Sequence, residues 1–163
     1  KDVILLLEAI YYLPDVQRFL QECERVLRPD GKILISTYNK DTFDFHPSPY
    51  SYEYLGVREM VELLLASGFQ VKAFGHTPIS STGFVYRVLR PIKALAVSLG
   101  LIPKTMDGKK WLKRLVYGRL VPSPSEITEN MVSFVPPVRL DPDKRCVDYK
   151  ILFFEAEVAG LGE

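Results

Sequence analysis

The sequence predicts an α/β fold, a mostly parallel sheet with helices in its crossovers. Two apolar runs and the segment between them carry that expectation. Val3 to Leu7 is unbroken apolar sequence, flanked by Asp2 and Glu8. Ile33-Leu34-Ile35 is a second such run, placed directly after Pro29-Asp30-Gly31. Between them Val16, Phe19, Leu20, Cys23, Val26 and Leu27 recur at helical spacing. Strand, helix and strand in that order form a βαβ unit, whose crossover is right-handed with few exceptions.

The first strand is expected over Val3 to Leu7, and Leu13-Pro14-Asp15 opens the helix. Pro29 cannot continue that helix and biases Arg28 away from helical angles. Pro-Asp-Gly supplies the turn, with Gly31 free to take a positive φ. Apolar residues at successive positions of Ile33 to Ile35 suggest an inner strand covered on both faces. Val57 to Ser67 reads as a second helix closed by Gly68. Phe69 to Phe74 alternates as a strand, followed by a Ser/Thr/Pro/Gly loop from Gly75 to Gly83. Pro136-Pro137 and Asp141-Pro142-Asp143 mark an irregular run, and Cys146 to Val158 is the longest strand candidate.

Composition sets outer bounds. The 163 residues are 47% hydrophobic and 25% charged, which suits an ordinary globular domain with one core. No run of about 18 uncharged apolar residues occurs, so no transmembrane helix is expected. No signal peptide is visible, and Cys23 and Cys146 lack metal-ligand spacing, so both read as reduced core thiols. The expected location is therefore cytoplasmic, at most peripheral to a membrane, with no metal site.

A near-neutral total hides a basic segment. Phe84 to Val121 holds nine Lys or Arg against a single acid, Asp107, whereas the rest of the chain holds 12 basic and 19 acidic residues. Val85, Val88, Leu89, Ile92, Leu95, Ala96 and Leu99 share a helical face beside Arg87, Arg90 and Lys93. Trp111, Leu112, Leu115 and Val116 likewise sit among Lys109, Lys110, Lys113 and Arg114. These are basic amphipathic helices. They suit a solvated cap, a lid over an anionic substrate, or a patch docking on anionic lipid. Nucleic acid ranks below these, because no recognition motif accompanies the charge.

The order Asp2, an apolar strand, Glu8, Tyr11-Tyr12, Pro14-Asp15, Phe19-Leu20, Arg25-Val26-Leu27-Arg28-Pro29-Asp30-Gly31 and a second apolar strand resembles class I S-adenosylmethionine-dependent methyltransferases. It matches that family's fourth strand, following helix and fifth strand. Arg58 to Val71, with Ala66-Ser67-Gly68-Phe69, resembles the next helix and the sixth strand. The resemblance covers residues 2–76 well and 145–158 loosely. It implies a partial Rossmann-like methyltransferase fold: a single domain over 1–163, an antiparallel last strand inserted between the fifth and sixth, and a helical insert at 84–121 before it. Three family strands would precede this point, carrying a glycine-rich cofactor loop and a ribose-binding acid. No G-x-G-x-G occurs among the ten glycines. The chain therefore reads as the C-terminal part of such a domain, needing the N-terminal half or a partner to hold S-adenosylmethionine.

The resemblance also assigns candidate residues. Leu7, Glu8 and Ala9 would line the cofactor at the carboxyl ends of the strands, where open α/β sheets bind ligands. Tyr11, Tyr12, Tyr38, Tyr50, Arg87 and Arg90 would face the acceptor, with the loop 38–54 closing over it. Glu8 and His46 are the candidate bases, with His76 a further imidazole. Against these stand blander readings: Glu8 as a carboxylate meeting a helix dipole, one tyrosine ring buried and the other on the surface, His46 merely solvated. The implied function is methyl transfer to a small-molecule or lipid-linked acceptor. In-line displacement needs chiefly alignment of donor and acceptor, and a base adds roughly 10²–10⁴-fold where the acceptor must lose a proton. The alternative is a non-catalytic α/β module. It would pair through its open first strand, with a partner or a dimer mate, or dock on an anionic membrane through the basic insert. An unpaired strand so apolar is an aggregation hazard unless something covers it.

Overall fold

The computed structural model describes residues 1–43, 45–79, 125, 126, 128, 129, 131 and 133–158. The chain forms two compact units, Lys1–Ile79 with Val135–Glu163, and Ser80–Phe134. The basic segment 84–121, with Arg87 and Arg90, lies outside the described residues.

The first unit is a mixed α/β structure. In chain order it contains β1 (Val3–Leu7), a 3-10 turn (Ile10–Tyr12), α1 (Val16–Val26), β2 (Lys32–Tyr38), α2 (Val57–Ala66), β3 (Phe69–Pro78), β4 (Val138–Arg139) and β5 (Tyr149–Val158). The five strands form one sheet in the order β1-β2-β5-β3-β4. β1 and β2 pair in parallel, Val3 opposite Lys32 through Leu7 opposite Ser36. β5 lies antiparallel between β2 and β3, as the resemblance implied. β1, β2 and β3 thus run in one direction, although only β1 and β2 are a parallel neighbouring pair.

Local sequence explains the elements. Asp15 caps α1, its carboxylate accepting from the Arg18 amide at 2.8 Å. Glu59 reaches back to the Gly56 amide at 2.9 Å and starts α2. Gly68 ends that helix with φ of 82°, a left-handed value that glycine adopts without cost. Gly31 differs from expectation. Its φ is not positive; glycine is needed because a Cβ there would sit 2.8 Å from the Leu27 side chain and from the Lys1 carbonyl oxygen. β3 also runs on to Pro78, where a loop was expected, because pairing with β5 continues through His76 opposite Ile151 and Pro78 opposite Tyr149. The short β4 falls in the run read as irregular.

The core sits on one face of the sheet. Ile33, Ile35, Phe154, Ala156, Phe69 and Ala73 bury against Leu20 and Cys23 of α1 and Val57, Met60, Val61 and Leu64 of α2. Among the described residues the second face of β2 is covered only in part, with Ser36 buried and Leu34 exposed. Val3, Leu5 and Leu7 are 52–62% exposed and Leu34 is 37% exposed. They point away from the helices, on the side that the described residues cover only in part. The same open face carries two lysines and two glutamates in one cluster. Lys32 Nζ lies 2.7 Å from Glu157 and 3.3 Å from Glu155, and Lys72 Nζ lies 2.8 Å from Glu155. Hydrogen bonding to Lys32 leads the causes that hold the Glu157 carboxyl down to about 2.

Candidate functional site

The carboxyl ends of β1 and β2 bring several predicted residues together. β1 ends at Leu7, and Glu8 follows with φ of 51°. A left-handed glutamate is uncommon and persists only where its surroundings fix it. Here they do. The Glu8 amide donates to the Ser36 carbonyl at 3.0 Å and to Ser36 Oγ at 3.1 Å. The Ser36 hydroxyl in turn donates to Glu8 Oε1 at 3.3 Å, and the Tyr11 hydroxyl donates to Oε2 at 3.2 Å. Glu8 therefore does not cap a helix; Asp15 holds that role.

The chain next turns through the 3-10 segment, closed by the Tyr12 amide on the Ala9 carbonyl at 3.0 Å. This turn buries the Tyr11 ring and leaves Tyr12 47% exposed. Burial, and then the neighbouring Glu8 charge, push the Tyr11 phenol well above its usual range, so it stays a donor.

A chain of aromatic rings extends from this point. Tyr11 stacks on Tyr54 at 4.3 Å and meets Tyr12 edge-on at 4.6 Å. Phe45 meets Tyr54 edge-on at 4.9 Å and lies 6.0 Å from Tyr38. These offset and edge-on geometries are the favoured aromatic contacts. The loop that supplies Phe45 and Tyr54 is anchored at both ends. Asn39 is fully buried; its side-chain amide donates to the carbonyls of Cys146 and Tyr149, each at 2.9 Å. Arg145 pairs with Asp41 at 3.0 Å, Lys40 pairs with Glu59, and the Tyr52 amide donates to the Tyr11 carbonyl at 2.8 Å.

The sequence candidates divide. Glu8, Ala9, Tyr11, Tyr12 and Tyr38 gather at this edge, and Leu7 ends the strand with its side chain on the open face. Tyr50 is 85% exposed and His46 is exposed, with no described contact tying either to Glu8. Sequence reasoning missed Ser36, and it placed Phe45 and Tyr54 in the closing loop without singling them out. Ser36 could have been found from register, since a parallel neighbour places it opposite Leu7. The rings could not, because their stacking depends on how the loop folds back.

Comparison with known proteins bears on this segment. Residues 1–35, which span β1, α1 and most of β2, match the family model described as a methyltransferase domain. The N-terminal βαβ unit resembles part of that domain. Over 75 residues the chain is 40% identical to a probable S-adenosylmethionine-dependent methyltransferase of Mycolicibacterium smegmatis, covering 44% of this chain and 29% of that protein. Over 63 residues it is 29% identical to the ubiquinone biosynthesis O-methyltransferase of Pseudomonas aeruginosa, covering 39% of this chain and 25% of that protein. The chain thus matches under a third of the length of these relatives. A solved S-adenosylmethionine-dependent methyltransferase of Thermotoga maritima, titled a possible histamine N-methyltransferase, aligns over 96% of this chain and 56% of its own. Its TM-score is 0.53 at 12% identity, a likeness of fold. The architecture is accordingly a partial Rossmann-like methyltransferase fold. Among the described residues no helix is long and apolar enough to cross a membrane, and no group of His, Cys, Asp or Glu could hold a metal ion.

Proposed function

We propose that this chain forms part of an S-adenosylmethionine-dependent methyltransferase acting on a small-molecule or lipid-linked acceptor. The observation that carries this reading is the position of Glu8. It is a strained, half-buried carboxylate at the carboxyl edge of a parallel strand pair, inside the segment similar to methyltransferases. Open α/β sheets bind ligands at that edge. Leu7, Glu8 and Ala9 would line one side of the donor, which supplies an electrophilic methyl group when bound. Tyr11, Tyr12, Tyr38 and Tyr50 would face the acceptor. Glu8 is the better placed of the two candidate bases, since His46 is exposed and without a described partner. The glycine-rich loop would have to come from sequence beyond these residues or from a partner.

Calorimetric titration of the chain with S-adenosylmethionine and S-adenosylhomocysteine tests this. Micromolar binding once an upstream methyltransferase half is supplied, weakened by Glu8→Ala, is the expected result. Absence of binding, also when an upstream methyltransferase half is supplied, overturns the reading.

A second reading rests on the open face. Exposed Val3, Leu5 and Leu7 on an edge strand suit a module that pairs with a partner or a second copy. Peripheral membrane contact through the basic segment belongs with it. Salt-sensitive binding to anionic vesicles without donor binding would favour this reading.

A further inference from the structure

Four described acids are not fully exposed: Glu8, Asp41, Glu155 and Glu157. Asp41 is met by Arg145, and the other pair by Lys32 and Lys72. Glu8 has no cationic partner among the described residues. Its carboxylate is met only by neutral donors, the hydroxyls of Ser36 and Tyr11. A half-buried carboxylate whose described partners are all neutral is suited to serve a ligand of opposite charge. The surroundings add a second, independent feature. Tyr11, whose hydroxyl meets the carboxylate, carries Tyr12 edge-on and Tyr54 stacked against its ring, and Tyr12 is half exposed. Aromatic rings attract an organic cation through their negative faces, most strongly where water is thin. The Tyr11 phenol cannot compete as an anion, because burial and Glu8 keep it protonated.

We propose that Glu8, Tyr11, Tyr12 and Tyr54 form a subsite for an organic ammonium group, so that the methyl acceptor carries a cationic amine. This rests on the methyltransferase reading and narrows it from any small acceptor to an amine-bearing one. The carboxylate supplies the counter-charge and the rings supply the low-dielectric wall. Ser36 and Tyr11 act as positioning residues, holding Glu8 in its left-handed backbone and aiming both oxygens.

The test uses the 163-residue chain. Choline and its neutral isostere 3,3-dimethylbutan-1-ol are titrated separately, read by ligand-observed NMR. A preference for choline of about tenfold is expected, with the preference lost in Glu8→Gln and reduced in Tyr12→Leu. Equal binding of the two probes, binding of neither, or an unchanged preference in Glu8→Gln overturns the subsite. The neutral isostere makes the wild-type comparison sufficient even where a variant fails to fold. With an upstream methyltransferase half supplied, choline binding should also persist at saturating S-adenosylhomocysteine. Displacement by it would assign the cation to the donor's own ammonium group and overturn the acceptor class. Donor binding measured on the same sample separates the two proposals. Donor binding without cation preference sinks the amine inference and leaves methyl transfer standing. Cation preference without donor binding, also when an upstream methyltransferase half is supplied, sinks methyl transfer and, with it, the acceptor assignment.

Discussion

Two regions of this sheet hold carboxylates in opposite ways. On the open face, Glu155 and Glu157 alternate with Lys32 and Lys72, so each charge has an opposite neighbour within 3.4 Å. At the carboxyl edge, Glu8 is met by the hydroxyls of Ser36 and Tyr11, the latter ring packed against Tyr12 and Tyr54, with no cation among the described residues. The first arrangement closes on itself: its charges answer one another across β2, β5 and β3. Among the described residues the second has no opposite charge. A strand interior fixes register by such ladders, whereas a strand end with a strained backbone, its carboxylate met by neutral donors among the described residues, is where recognition is expected.

The largest expected effect tests whether the edge depends on the loop that walls it. Asn39→Ala removes both donors to the Cys146 and Tyr149 carbonyls in a buried setting. Leaving buried acceptors unmet costs about 2–3 kcal/mol, read as a lowered urea midpoint. The loss should release Phe45 and Tyr54 from the aromatic row, weakening their ring-current shifts more than those of Phe153. A loss below about 0.5 kcal/mol would mean that water satisfies the carbonyls and that the loop is held elsewhere.

A smaller effect isolates the carboxylate itself. Tyr11→Phe keeps the ring stacked on Tyr54 and deletes only the hydroxyl that meets Glu8 Oε2. The expected destabilisation is about 1 kcal/mol by denaturant unfolding, since one part-buried hydrogen bond is lost. If Tyr11→Phe instead stabilises the fold, the Glu8–Tyr11 contact is a functional strain rather than a brace.

The two regions were not equally legible in the sequence. The βαβ unit could be read because apolar period and turn chemistry are local; they fix β1 and α1 nearly to the residue, whereas β2 runs on through Ser36 to Tyr38, where the polar residues read as loop. The placement of β5 between β2 and β3 was not local and came only through the family resemblance. Apolar runs at Val3 to Leu7 and Ile33 to Ile35 suggested two covered faces. A run alone cannot say which alternate side chains will find a partner, and Leu5 and Leu34 did not among the described residues. Glu8 was singled out as a residue, but its hold by Ser36 requires strand register, and the Tyr54 ring arrives from a loop some forty residues on. The ion cluster escaped notice for the same reason: Lys32 and Glu157 are near only after β5 inserts.

The smallest effect sharpens the contrast through pH. Hydrogen bonding from Lys32 leads the causes that depress the Glu157 carboxyl to about 2, while Lys32 and Lys72 are raised by the same contacts. A depressed carboxyl stabilises the fold above its unfolded value of about 4.5. That contribution drains as pH falls toward 2. The raised lysines contribute below their ordinary value and lose that contribution as pH climbs past it. The cluster should therefore act as a plateau across neutral pH with an acid shoulder. Carboxyl carbon chemical shifts should place the Glu157 midpoint near 2. Lys32→Met should move that midpoint up toward the ordinary range, with only a slight change in neutral-pH stability, because the pair is partly exposed and screened by salt. A Glu157 midpoint that stays put in Lys32→Met would mean the cluster is a crowding of surface charges rather than a closed ladder, and the distinction between the open face and the Glu8 edge would lose its electrostatic basis.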